Sequence, residues 1–201
     1  MENVHLIVGL GNPGSEYTQT RHNSGFMAVE LLAERRAVPW KQDGRFAARL
    51  ARTDFEGRRV VLCEPQTFMN QSGTAVRAVT EFFKVPLDRL LIVVDDADLP
   101  LGGIRMRPGG SSGGHHGLES IEQHLGTRDY ARLRIGIGRR VEGEREISGH
   151  VLGRFDGAER PLLRATLDRV CDQMERWLAA GVAAAMNEFN GTINTSVVKE
   201  S

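Results

Sequence analysis

Four sets of residues combine side-chain type and spacing in ways that could do chemistry. Gly9-Leu10-Gly11-Asn12-Pro13-Gly14 fits GxGxxG and follows the β-branched run Val4 to Val8. In a dinucleotide-binding unit such glycines open a helix whose N-terminus meets a pyrophosphate. Here Pro13 and the stretch Ser15 to Arg21 push the next helix back by about eight residues. Glu30 and Glu34, near the ~20-residue spacing of a ribose-binding acid, lie within that helix and not at a strand end. The pattern therefore reads as a turn. Gly109-Gly110-Ser111-Ser112-Gly113 fits GxSxG, the nucleophile elbow of serine hydrolases, with His150 downstream. A Ser111-dependent esterase is one alternative, although Pro108 and the glycines make a loose loop where an elbow needs a sharp strand-to-helix turn. Asp95, Asp96 and Asp98 with His115 and His116 are metal-ligand types, but adjacent strand residues face opposite ways and no HExxH pair is present, so no metal is expected. The fourth set is Asn12, His22, Asn70, Asp95, His115 and His116, polar residues beside predicted strand ends. Taken singly, Asn12 suits a turn before Pro13, His22 and Asn70 could cap helices, and a strand-end Asp could bind backbone amides.

The elements that must position these residues are legible in the hydrophobic pattern. Val4 to Gly9 predicts a buried central strand, and Leu90 to Val94 a second that delivers Asp95 and Asp96 at its C-terminal end, where open α/β sheets place their chemistry. Phe26, Met27, Leu31 and Leu32 predict a helix from about Asn23 to Ala37, and Val76, Val79, Phe82 and Phe83 one from Ser72 to Lys84. Phe46 to Leu50 and Arg59 to Leu62 predict a hairpin around Asp54-Phe55-Glu56-Gly57. A short strand, Ile104 to Arg107, leads into the glycine-rich loop, and a helix follows to about Leu125 with Gly126 as its stop. Leu133, Ile135 and Ile137 alternate with Arg132 and Arg134, which predicts a strand with one covered and one wet face. Pro161 opens a long helix with the stripe Leu163, Leu167, Val170, Met174, Trp177 and Leu178, a core-packing pattern. The fold class expected is α/β, a twisted mixed β-sheet surrounded by α-helices.

A chain of 201 residues buries a sizeable core in one domain and is short for two, so residues 1–201 are expected to form a single domain with a frayed tail from about 195. Lys plus Arg and Asp plus Glu both number 26, which leaves any charge signal local. Cys63 and Cys171 sit in apolar runs without metal spacing, as buried free thiols of a reducing compartment do. No apolar stretch approaches the ~20 residues of a membrane span, so the expectation is a cytoplasmic protein with no membrane partner.

Read in order, Gly9 to Gly14, Tyr17, and Thr20-Arg21-His22-Asn23-Ser24-Gly25 resemble the amino-terminal signature of bacterial-type peptidyl-tRNA hydrolases. Thr67-Phe68-Met69-Asn70-Gln71-Ser72-Gly73, Asp95 to Gly102, Gly113-Gly114-His115-His116-Gly117 and Arg132 to Gly138 are similar to that family's later motifs, so the resemblance runs from about residue 4 to 191. It implies a cofactor-free, monomeric enzyme that hydrolyses the ester joining a peptide to tRNA. His22 is similar to the family's base and Asp95 to the carboxylate that orients it, while Asn12, Tyr17, Met69, Asn70, His115 and His116 match substrate-binding positions. The chemistry agrees. Ester hydrolysis at neutral pH needs a base that titrates near it, and a carboxylate on the far nitrogen fixes the tautomer of that base.

A tRNA partner needs phosphate contacts. Between Leu101 and Arg140 seven arginines stand against three acids. Arg105 with Arg107, and Arg132 with Arg134, share strand faces by period two, so neighbouring strands would join all four into a phosphate clamp. Two residues depart from the family pattern. His116 replaces the usual Asn and is expected to reach the site and act there while neutral, steepening the acid limb of the pH profile; Val94 replaces a His before Asp95. A non-catalytic RNA-binding relative is the remaining alternative, disfavoured because Asn12, His22, Asn70 and Asp95 are all present.

Overall fold

β1 (Val4–Gly9) runs through the middle of an eight-stranded sheet in the computed structural model, which describes residues 4–138 and 147–193. β4 (Arg58–Pro65) and β5 (Leu90–Asp96) flank it in parallel, and β7 (Ala131–Gly136) lies parallel on β5. β2 (Lys41–Asp43) and β3 (Ala48–Phe55) extend one side antiparallel, and β6 (Gly103–Arg107) and β8 (Gly191–Thr192) the other. The order is β2-β3-β4-β1-β5-β7-β6-β8. Parallel central strands need cover on both faces, and the alternation of the strands supplies two cores. Ile7, Leu91, Val93, Leu133 and Ile135 pack with α1 (Ser24–Arg35) and α5 (Arg160–Phe189). Leu6, Val8, Ile92 and Val94 pack with α2 (Ser72–Phe82) and α3 (His116–Leu125). A short helix, α4 (Ile147–Val151), precedes α5.

The α/β class and mixed sheet are as expected; several boundaries differ for physical reasons. The hairpin strands are longer than expected because β3 and β4 meet through Glu56-Gly57, both at positive φ (47° and 78°), a two-residue turn that matches strand twist. β2 and β8 carry no apolar alternation and exist by pairing with their neighbours. The stripe on α5 is buried from Leu167 to Leu178 with Leu163 partly covered, but its helix breaks at Gly181 (φ 83°, ψ 178°). Gln173 spans the break, donating to Ala185 O and Asn190 Oδ1 (both 3.0 Å), and Asn190 Oδ1 in turn accepts from Met106 N–H on β6 (2.7 Å). The tail from 195, and Arg139 and Arg140, lie outside the described residues.

One buried carboxyl group stands apart from any chemistry. Glu64 at the end of β4 has a fully buried side chain with Arg49 Nη1 at 2.9 Å from Oε2. Burial pushes its carboxyl up to about 8, with Glu30 adding and Arg49 only partly opposing. A folded-state pKa above the unfolded value means stability that is present below about 4.5 and lost as pH rises through about 8. Urea unfolding of Glu64→Gln should therefore show a variant gaining on wild type by on the order of a few kcal/mol between pH 5 and pH 9. An unchanged difference across that range would contradict the assignment.

Candidate active site

Backbone-to-backbone packing sets the site. The parallel ladder passes beyond β1, with Leu10 N–H donating to Val93 O (2.9 Å) and Phe26 N–H of α1 donating to Leu10 O (3.2 Å). A Cβ on Gly9 would lie 2.3 Å from Gly25 O, and one on Gly25 would lie 2.4 Å from Val93 O, so α1 can rest on β1 and β5 only with glycine at both positions. The 3-10 turn Arg21–Asn23 that precedes α1 is thereby laid over the end of β5. Asn23 ties it to the glycine loop, accepting from Asn12 N–H (2.9 Å) and donating to Asn12 O (3.0 Å).

His22, on that turn, places Nδ1 2.8 Å from Asp95 Oδ1, and His115 places Nε2 3.0 Å from the same oxygen. Asp95 is 2% exposed. Burial alone would push its carboxyl up; the two imidazoles outweigh that and hold it well below the usual carboxylate range. The tautomers follow from the partners. His115 is the N-cap of α3, and its Nδ1 accepts from Gly117 N–H (3.2 Å) and Leu118 N–H (3.4 Å), so Nε2 carries the proton given to Asp95. His22 donates from Nδ1, which leaves the Nε2 lone pair without a partner among the described residues. These three residues also bring ligand-type atoms within 4.8 Å of one another. Ligation by His115 Nε2 would require a proton on Nδ1, where two amide N–H groups already point, so the donor set fits a hydrogen-bonded relay better than a metal centre.

The relay opens on a cavity of about 800 Å³ lined by Asn12, His22, Met69, Asn70, Asp95 and His115, among others. Asn12 Oδ1 accepts from Met69 N–H (2.8 Å), which leaves the donor Nδ2 uncommitted among the described residues. Asn70 is exposed on the 3-10 turn Met69–Gln71. Tyr17 is not brought to the cavity; it belongs to the turn after Gly14, where its carbonyl accepts from Thr20. His116 does line this cavity, as expected. It stands on the rim with a side chain 75% exposed, and Nδ1 meets Glu119 Oε2 (3.1 Å) one helical turn on. Phe68, Val151 and Leu152 also line the cavity and were missed. Their signal was a large apolar residue beside Met69-Asn70 and an isolated apolar pair between Gly149 and Gly153.

β6 and β7 do pair with Arg105 opposite Arg134 and Arg107 opposite Arg132, as the clamp requires. The face is not uniformly wet, however. Arg107 is exposed and the Arg105 side chain is 42% exposed. The Arg132 side chain is 1% exposed: it donates to Ser111 O (3.2 Å) and Arg128 O (2.9 Å), lies over Tyr130, and pairs with Glu122. Arg134 donates to Ser111 O (2.9 Å), Ser112 O (3.1 Å) and Asp96 Oδ2 (3.4 Å). Arg132 is thus an internal tie for the glycine-rich loop and not a surface cation, because that loop folds back over β7. The esterase alternative fails here too. Ser111 lies eight residues after Gly103 opens β6 and no histidine bonds it among the described residues, so no elbow forms.

Residues 6–198 match the family profile described as peptidyl-tRNA hydrolase. A peptidyl-tRNA hydrolase of Gloeobacter violaceus is 47% identical over 187 residues, 93% of this chain and 94% of that relative. One of Thermosynechococcus vestitus is 46% identical over 191 residues, 92% of this chain and 93% of that relative. The crystal structure of peptidyl-tRNA hydrolase from Acinetobacter baumannii superposes with a TM-score of 0.88 at 42% identity, covering 96% of this chain and 97% of that one. The chain belongs to the peptidyl-tRNA hydrolase family.

Proposed function

We propose that the protein cleaves the ester between peptide and tRNA with a water activated by His22. The single observation that carries this mechanism is the 2.8 Å contact of His22 Nδ1 with buried Asp95, which leaves Nε2 as a lone pair on the cavity. Nε2 takes a proton from water as its oxygen attacks the ester carbonyl, and the imidazolium is stabilised by Asp95. The tetrahedral intermediate then expels the tRNA hydroxyl oxygen, which receives the proton from Nε2, leaving a peptide carboxylic acid and free tRNA. Asn12 Nδ2 and the amide of Asn70 are suited to bonding the peptide or the reacting oxygen, so that a substrate lacking a peptide amide leaves them unsatisfied. No helix among the described residues is long and apolar enough to cross a membrane, which fits work on tRNA in the cytoplasm.

Turnover of an N-acyl-aminoacyl-tRNA tests the base. His22→Ala should lower kcat by at least ~10²-fold with little change in tRNA affinity, and Asp95→Asn by a similar or smaller factor. A His22→Ala enzyme working at the wild-type rate would sink the mechanism.

The arginines divide by exposure. Arg105→Ala should raise KM, spare kcat and flatten the slope of log K against log salt by up to ~1. Arg132→Ala should instead lower stability by on the order of 2 kcal/mol without altering that slope. The reverse pattern would show that Arg132 reaches phosphate. His116→Asn should keep kcat/KM within about threefold and leave the slope of its acid limb unchanged, since the ring points at Glu119. A limb that becomes shallower in the variant would show that the His116 ring acts on the substrate.

A further inference from the structure

Arg21 immediately precedes His22 in the 3-10 turn, is 8% exposed, and spends its guanidinium on a distant part of the chain. Nη1 donates to Ile137 O (2.8 Å) and Glu159 Oε1 (3.1 Å), and Nη2 donates to Glu159 Oε2 (2.7 Å). The guanidinium carbon stands 4.7 Å from the centre of the Phe155 ring. Arg21 N–H donates to Gly153 O (2.9 Å), and Thr20 bridges Arg154. Glu159 is itself fixed, for Oε2 also accepts from Asp156 N–H (2.8 Å) in a capping box just before α5. A bidentate carboxylate with a carbonyl and a ring face satisfies a buried guanidinium in essentially one orientation.

We infer that Arg21 is a positioning residue for His22, with Glu159 as its anchor, so that the aim of the base is set from the start of α5. The inference rests on the reading of His22 as that base. A three-residue 3-10 turn has few hydrogen bonds of its own and does not hold a side chain to a fraction of an ångström. This one is gripped from both ends. Asn23 fastens it to the loop of Asn12, and Arg21 fastens it to residues 153–159, with His22 between the two ties. The segment beyond the second tie carries Val151 and Leu152 of the cavity wall, so the base and that wall share one reference point. Displacement of a catalytic group by ~1 Å costs about 10²-fold in rate.

The test compares Arg21→Lys, Glu159→Gln and the double variant for kcat and KM on N-acyl-aminoacyl-tRNA, with thermal unfolding of each. It adds Glu159→Gln in a His22→Ala background. Each single variant should lose roughly 10- to 100-fold in kcat while KM moves less than about threefold. The double variant should be no worse than the weaker single, and Glu159→Gln should cost nothing further once His22 is gone. If Arg21→Lys does not fold, Glu159→Gln carries the test alone, because it keeps an oxygen for Arg21 and for Asp156. A folded Glu159→Gln enzyme with wild-type kcat overturns the inference, as does an undiminished loss in the His22→Ala background. Wild-type turnover by His22→Ala alone would instead overturn the reading of the base.

Discussion

Asp95 is a carboxylate taken almost wholly out of water, which costs several kcal/mol unless hydrogen bonds replace its hydration. Two imidazole N–H groups on one oxygen provide that replacement, and each has to be presented by a separate element. His115 arrives as the N-cap of α3 and His22 on the turn that opens α1, so two helix N-termini converge on the end of β5. Their positive ends favour the ionised carboxylate as well. The constraint propagates outward: α1 must approach the sheet at backbone contact, which is why Gly9 and Gly25 face one another.

The next residue on the strand faces the other way and does different work. Asp96 accepts from Asp98 N–H and stands 3.4 Å from both Arg105 and Arg134, offsetting the repulsion of two arginines placed directly opposite one another. Two adjacent acids thus serve separate partners, imidazoles for one and guanidiniums for the other, on the two sides of a single strand. Buried Arg132 and half-buried Arg134 of β7 hold carbonyls of the glycine-rich loop, so this polar strand face is partly an internal scaffold.

Asn12, His22, Asn70 and Asp95 stood out only as a set, through the resemblance of the ordered motifs, whereas the central strands and the four longer helices were legible because their signals are local: β-branched runs and helical periodicity. The bond between His115 and Asp95 was not, since it depends on where α3 begins, and capping by a histidine looks in sequence like any loop residue. Arg132 was misjudged for a related reason. Alternation says that it faces away from Leu133, but only tertiary structure says that a loop covers that face. His116 lines the cavity as its place in the family pattern suggested, but its contact with Glu119 on its own helix had no signal there.

The far edge of the sheet carries a consequence for synthesis. β6 holds Arg105 and Arg107, and among the described residues its outer edge is closed by β8 and by Asn190, whose side chain pairs with both the N–H and the carbonyl of Met106 as a strand would. An open edge of this kind is a template for pairing with another chain. Residues 190–192 leave the ribosome long after β6 does, so during every round of translation the strand that presents these arginines waits with an unpaired border. The nascent protein is therefore prone to intermolecular pairing until residues 190–192 emerge, and a product lacking this segment should aggregate through β6.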